Sequence, residues 1–246
     1  MKTSNILLIV FLIATFLLVG WFIIKAKNHI NASYIETSGK MVSETVNVPA
    51  FKKVKVQGKF HINLSQGDVQ KVEITSDENI FSEVITEVEG DELVLRLRNM
   101  IRDQDKVTVN LQMQDINSVE FSAGTSLTTN GEISGEQLNL NSYAGSEGTL
   151  ALKYNSVICE SKAGSHISLS GTANTVRINS IAGSTVNAGD LIANSYSVKG
   201  SAGSHVEVHA NNELTADISS GGSLKYSGEP TLTNFNTSSG GSINKR

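Results

Sequence analysis

The chain has 246 residues, with 20 Lys and Arg against 24 Asp and Glu, 21 Gly, two Pro and one Cys. A net charge of −4 leaves no basic excess to neutralise phosphates, which excludes nucleic acid as an electrostatic partner. The single Cys159 allows neither an intrachain disulfide nor a cysteine-based metal site, and two prolines exclude a Pro-rich or collagen-like chain.

Residues 1–5 form a short flank, and residues 6–24 read ILLIVFLIATFLLVGWFII without a charge. Such a helix rises about 28 Å, close to the hydrocarbon thickness of a bilayer. Trp21 and Phe22 stand where interfacial aromatics belong. One transmembrane helix is therefore expected. A cleaved signal peptide is the competing reading, but its apolar stretch would span about 7–15 residues and end in small ones. Here the run enters Lys25-Ala26-Lys27, and cleavage at Ala32 would put Ile30 at the −3 position. No Cys follows to carry a lipid, and Lys2 against Lys25 and Lys27 does not orient the helix. Residues 25–47 are then a juxtamembrane linker.

Residues 48–121 alternate apolar with polar in FKKVKV, FHINLSQG, KVEITS, ELVLRLR and KVTVNLQMQ, separated by turns such as Gln66-Gly67-Asp68 and Glu89-Gly90-Asp91. One short helical turn is expected within Asp77–Thr86. This half reads as wider, irregular first rungs of the repeat that follows.

From residue 122 to 243 a small motif recurs as SAGTSL, YAGSEG, KAGSHI, IAGSTV, SAGSHV, SSGGSL and SSGGSI. Its glycines are Gly124, Gly145, Gly164, Gly183, Gly203, Gly221 and Gly240, about 19 residues apart. A fixed period of this size signals a solenoid whose repeats bury their faces against their neighbours. Apolar residues stand seven and five before each glycine, as in Leu138/Leu140, Val157/Cys159 and Val176/Ile178, and three and five after it, as in Ile167/Leu169 and Val206/Val208. Spacing of two defines one face of a strand. Each turn should carry two strand segments around a glycine corner, with a second corner at Gly131, Gly171 and Gly228. The predicted fold is all-β: a single-stranded parallel β-helix of about 19 residues per rung, right-handed by the usual crossover rule.

The stretch from Val48, with FKKVKVQGKFHINLSQGD, Asp77-Glu78-Asn79 and GDELVLRLR, together with KVTVNLQMQDINSVEFSAGTS, resembles the family called putative auto-transporter adhesin, head GIN domain, which is common in Bacteroidetes. The resemblance covers residues 48–243. It implies a β-helix outside the cytoplasm, behind a signal or anchor, and brings no catalytic motif. The solenoid is expected to stop at Ile243 to Arg246 with no translocation barrel of its own.

Several residues invite chemistry. His166 and His205 both lie two residues after a corner glycine, with Thr185 on the rung between, so about 10 Å would separate them, too far for one metal; His61 and His209 have no evident partners. Glu160 and Asp217 share the position four before the glycine, but Asn179 and Lys199 intervene. Ser146, Ser165, Ser184 and Ser204, with Thr125 before them, read as a hydroxyl ladder capping the turns, because a nucleophilic serine needs a base oriented by a third group. The outward strip Asn141, Glu160, Asn179, Lys199, Asp217 and Asn236 could hold a glycan or partner. No catalytic, cofactor-binding or metal-binding residue is assigned, no cofactor is expected, and the binding face is left open.

These readings lead to a single-pass membrane protein of the bacterial envelope, with its β-helix on the extracytoplasmic side and a non-catalytic binding or scaffolding role towards a glycan or envelope protein. One alternative is a self-assembling polymer whose ends stack rung on rung. Another is a polysaccharide-acting β-helix enzyme.

Overall fold

The computed structural model describes residues 37–101 and 107–246, together with Thr15, Phe16, residues 18–21, Lys25, Tyr34 and Ile35. Most of the expected anchor, 6–24, lies outside the described residues; among them, no helix is long and apolar enough to cross a membrane.

Five long strands, Ser126–Tyr143, Glu147–Lys162, His166–Ile181, Thr185–Ser201 and His205–Ile218, carry the body. Each is nearly a full turn of a β-solenoid and pairs in parallel with the next, Val157 beside Val176 and Val176 beside Tyr196. About seven turns of about 19 residues result. Alternation sends one residue in two inward, so that Leu138 and Leu140, Val157 and Cys159, Val176 and Ile178, and Tyr196 and Val198 stack in a single buried core.

The sequence pattern implies two strand segments per turn, whereas the structure has three faces. The first follows the Ala-Gly corner and the third precedes the next one. Between them runs a short second face that includes Glu132–Gly135, Ala151–Tyr154 and Asp190–Ala193, contributing Ile133, Leu152, Tyr154, Leu191 and Ala193 to the core. Register shifts concentrate here, between Thr128 and Glu132, Ser168 and Ser170, and Ala188 and Ile192. Differences in repeat length are absorbed as bulges on this face, which erases its period from the sequence.

The corners are tighter than glycine alone would give. Each corner glycine from Gly124 to Gly240 has positive φ, but so does the residue before it: Ala123, Ala144, Ala163, Ala182, Ala202, Ser220 and Ser239, at 49° to 58°. Two consecutive left-handed residues are the signature of a type I′ turn. An L-residue there costs about 1–2 kcal/mol. The offset lies in the neighbouring rungs, where Gly145 N–H donates to Ala163 O at 3.0 Å, Gly164 to Ala182 at 3.1 Å and Gly183 to Ala202 at 3.0 Å. The sheet ladder thus continues straight through the turns.

In the N-terminal half, chain order does not follow rung order. Lys53–Gln57 lies between Ser118–Ser122 and the later strand Glu92–Leu97, and His61–Gln66 lies between Ser126–Thr129 and Thr108–Met113. Three pairings here are antiparallel: Met41–Val46 with Lys71–Asp77, Lys71–Asp77 with Thr108–Met113, and Val84–Glu89 with Glu92–Leu97. The expected helical turn is Glu78–Phe81, with Asp77 as its N-cap and Ile80 buried. Desolvation pushes the Asp77 carboxyl up. Donation from the Ser38 N–H and hydroxyl and from the Asn79 and Gly39 N–H groups outweighs it, holding the group below its ordinary range.

Candidate functional site

The flat outer surface of the third face is built by register. Glu120, Asn141, Glu160, Asn179, Lys199, Asp217 and Asn236 stand in one column, each beside the next. A second column, two residues earlier on each rung, runs Ser118, Asn139, Ile158, Arg177, Ser197, Thr215 and Asn234. The outward strip read from the sequence is the first of these; the second was missed, although moving the register back by two would have found it.

In the first column Glu120 and Glu160 are each held by a lysine, while Lys199 has no ion pair among the described residues. Glu160 takes Lys162 Nζ at 2.6 Å, the Tyr143 hydroxyl at 2.8 Å and Asn179 Nδ2 at 3.2 Å. Hydrogen bonding from Lys162, with Tyr143, Asn179 and the Lys162 charge, keeps the Glu160 carboxyl below its usual range despite some desolvation. Lys55 pairs with Glu120 at 2.9 Å, and Asp217 accepts from Asn236 Nδ2 at 3.2 Å. Glu160 and Asp217 stand three rungs apart, about 14 Å at parallel-strand spacing, beyond the roughly 5–10 Å that two glycosidase carboxylates need. A carboxyl held ionised is also ill suited to donate a proton.

The serine ladder lies inside the fold. Ser142, Ser146, Ser161, Ser165, Ser180 and Ser184 are fully or almost fully buried. Ser165 Oγ is 2.9 Å from Ser161 Oγ, 2.9 Å from Lys162 O and 3.0 Å from Ser142 O one rung back; Ser184 repeats the arrangement with Ser180, Ile181 and Ser161. These hydroxyls cap turn carbonyls and face no solvent. Ser204 breaks the pattern: its partner position is Gly200, and its buried Oγ has no hydrogen-bond partner. Cys159 is buried, and desolvation pushes its thiol up to about 12, which removes its nucleophilicity.

Among the described residues His61, His166 and His205 stand on the first face, and His209 lies beside Ile192 at the start of the second. His166, Thr185 and His205 follow one another in one column, so His166 and His205 do not meet. His205 Nδ1 bonds Ser223 Oγ, and His209 Nδ1 is 3.1 Å from Ser227 Oγ. Among the described residues no three His, Cys, Asp or Glu side chains are placed to hold a metal.

The third face also carries a shallow groove of about 530 Å³ around Arg177, and a second open cleft of about 590 Å³ lies beside Phe51 at the N-terminal half. The residues that build this solenoid, 50–230, match the family described as "Putative auto-transporter adhesin, head GIN domain". The chain belongs to this family. Solved structures similar to this head GIN chain include a putative adhesin of Bacteroides fragilis NCTC 9343, 20% identical with a TM-score of 0.82, covering 86% of this chain and 100% of that one. A putative adhesin of Parabacteroides distasonis ATCC 8503 is 19% identical with a TM-score of 0.71 over 87% and 100% of the two chains. A putative lipid binding protein of the same strain is 17% identical with a TM-score of 0.68 over 87% and 99%. At these identities the likeness concerns the fold. No curated protein matches the sequence.

Proposed function

We propose that this head GIN chain is an envelope-anchored solenoid that binds a glycan or envelope partner without chemically altering it, using the outer surface of its third face. The observation that carries the reading is the pair of unbroken register columns on that face. Backbone groups there are engaged in parallel ladders on both sides, so recognition falls to a rigid array of outward side chains at the spacing of one rung, about 4.8 Å. The family description points the same way. The uncharged run 6–24 supplies the anchor in a bacterial membrane, with the body on the extracytoplasmic side.

The test is incubation of the full chain, in detergent micelles, with a panel of neutral and acidic polysaccharides, following retention and the appearance of new reducing or unsaturated ends. Retention without new ends is expected. New ends would replace the reading with catalysis, and absence of retention across the panel would overturn glycan binding.

A second reading, stacking of solenoids end to end, is favoured by the strand Leu232–Thr237, which pairs with Glu213–Ile218 on one side and leaves Leu232 66% and Phe235 40% exposed. It requires concentration-dependent filaments that Leu232→Lys abolishes; a monomer at all concentrations would sink it.

A further inference from the structure

The groove on the third face spans three rungs and is lined by Ser156, Ile158, Thr175, Arg177, Ser195 and Ser197. Ser156, Thr175 and Ser195 stand side by side in one column, and Ile158, Arg177 and Ser197 in the next. Arg177 is exposed, and its cross-strand neighbours are an isoleucine and a serine. Elsewhere on this face Lys55 and Lys162 are matched by Glu120 and Glu160, but among the described residues no ion pair joins a carboxylate to Arg177 or to Lys199, which stands one rung on in the adjoining column. The cleft beside Phe51 offers the contrast: its Lys52 pairs with Asp115 and the adjoining Lys53 with Asp91, both at 3.1 Å, and a third carboxylate, Asp68, leaves its lining negative. In a chain of net charge −4, Arg177 is an unpaired cation in a hydroxyl-rich groove, whose rim carries one carboxylate, Glu213, accepting from Ser195 Oγ at 3.1 Å.

We infer that this groove binds the carboxylate of an acidic polysaccharide, with Arg177 as the anion contact. This rests on the glycan-binding reading and names its ligand class and its central residue. A guanidinium presents a planar donor fork that matches a carboxylate. The hydroxyls of Ser156, Thr175 and Ser197 donate and accept around it, Ser195 already donating to Glu213; they suit the hydroxyl-rich ring of a uronate, and Ile158, 36% exposed, offers an apolar contact for the C–H face of a sugar. An acidic peptide fits less well. The rungs here are paired on both sides, so no free sheet edge exists for a peptide strand to join.

Binding of the full chain in micelles to polygalacturonate, to its carboxyl-reduced form, to neutral dextran and to poly-glutamate tests this. Three proteins are compared: the parent, Arg177→Gln, and Lys225→Gln, which removes the same charge from the first face. Losing a charge-assisted contact weakens binding about tenfold or more. Arg177→Gln should show that loss on polygalacturonate while Lys225→Gln changes it less than twofold, and carboxyl reduction of the polymer should have the effect of Arg177→Gln. Equal losses in both variants, or none in Arg177→Gln, overturn the assignment. Poly-glutamate binding as tight and as dependent on Arg177 would transfer the groove to acidic peptides. Retention of dextran and of the reduced polymer equal to polygalacturonate in all three proteins would leave glycan binding standing and refute this site; retention of no polysaccharide at all would refute both.

Discussion

Glycines that share a positive φ should differ sharply in what they tolerate, and Gly171 and Gly183 make the sharpest pair. Both have positive φ, 106° and 69°. A Cβ added at Gly183 meets nothing within 4 Å, whereas at Gly171 it would lie 2.0 Å from Leu152 O and 3.0 Å from Leu152 C. Gly183→Ala therefore incurs only backbone strain, about 1–2 kcal/mol. For a body of this size that lowers the melting temperature by roughly 2–8 °C. Gly171→Ala cannot be relieved by turning a side chain, because the clash is with the backbone of the adjoining rung. Gly171 is ladder-paired to Leu152 on one side and Leu191 on the other, so moving it breaks pairing with both. The expected loss exceeds about 4 kcal/mol, the range reserved for severe packing or network damage. Gly241→Ala carries a similar clash, 2.1 Å from Ile218 O, but in the turn before Ser242–Lys245. Rungs touch only their neighbours, so its damage should stay local: amide exchange rises in 242–245 while the main transition moves little. Thermal unfolding by circular dichroism with site-resolved hydrogen exchange reads all three. Equal destabilisation by Gly171→Ala and Gly183→Ala would refute the reasoning.

Three further outcomes follow from buried polar groups. Ser184→Ala leaves Ser161 O and Ser180 Oγ inside the fold without that hydroxyl and should cost about 1–3 kcal/mol in urea unfolding; a neutral result would mean the ladder is idle. Gly200→Ser places its Cβ 3.2 Å from the orphan Ser204 Oγ and 3.0 Å from Ile218 Cδ1, the flexible tip of a side chain. A gain of about 1 kcal/mol is expected, and a loss of that size would show that Ile218 cannot yield. Asp77→Asn should free Ser38 and Gly39 and make the segment before Met41 sensitive to protease. The same contact is pH-dependent: because the folded-state carboxyl titrates below its unfolded value of about 3.9, its stabilisation is complete above that pH and fades as pH falls below it. Protection of Met41–Val46 from exchange should drop in that acid window and stay flat from pH 5 to 8.

The repeat was legible because two constraints coincide at every corner. A spacing of two on either side of a positive-φ glycine is a local rule, and neighbouring rungs repeat it in register. The second face escaped because length variation accumulates there: Thr128 to Glu132 spans four residues opposite the two from Thr149 to Ala151, so no fixed spacing survives. The order of the N-terminal strands escaped for a different reason. Alternation in Lys53–Gln57 or Glu92–Leu97 shows that each is a strand with one buried side, but which strand it lies beside is decided by non-local packing. Ala163 and its equivalents at left-handed angles were hidden because only glycine advertises that region. Arg177 was visible but unremarked: its meaning comes from what stands on the rungs beside it.

The stacked corners have one more consequence. Ala144 O accepts from Gly124 N–H, and the same peptide group, through Gly145 N–H, donates to Ala163; the relay passes on through Ala182, Ala202 and Ser220 to Ser239. Peptide groups joined head to tail in this way polarise one another, so each link strengthens the rest. One edge of the solenoid is thus a directional wire of aligned amides, with every N–H pointing toward the C-terminal end. A duplicated repeat inserted anywhere along it would lengthen the wire without reversing it. Growth by whole units of about 19 residues is therefore the change this architecture accepts most readily, and a partial unit, which would break the relay, the one it resists.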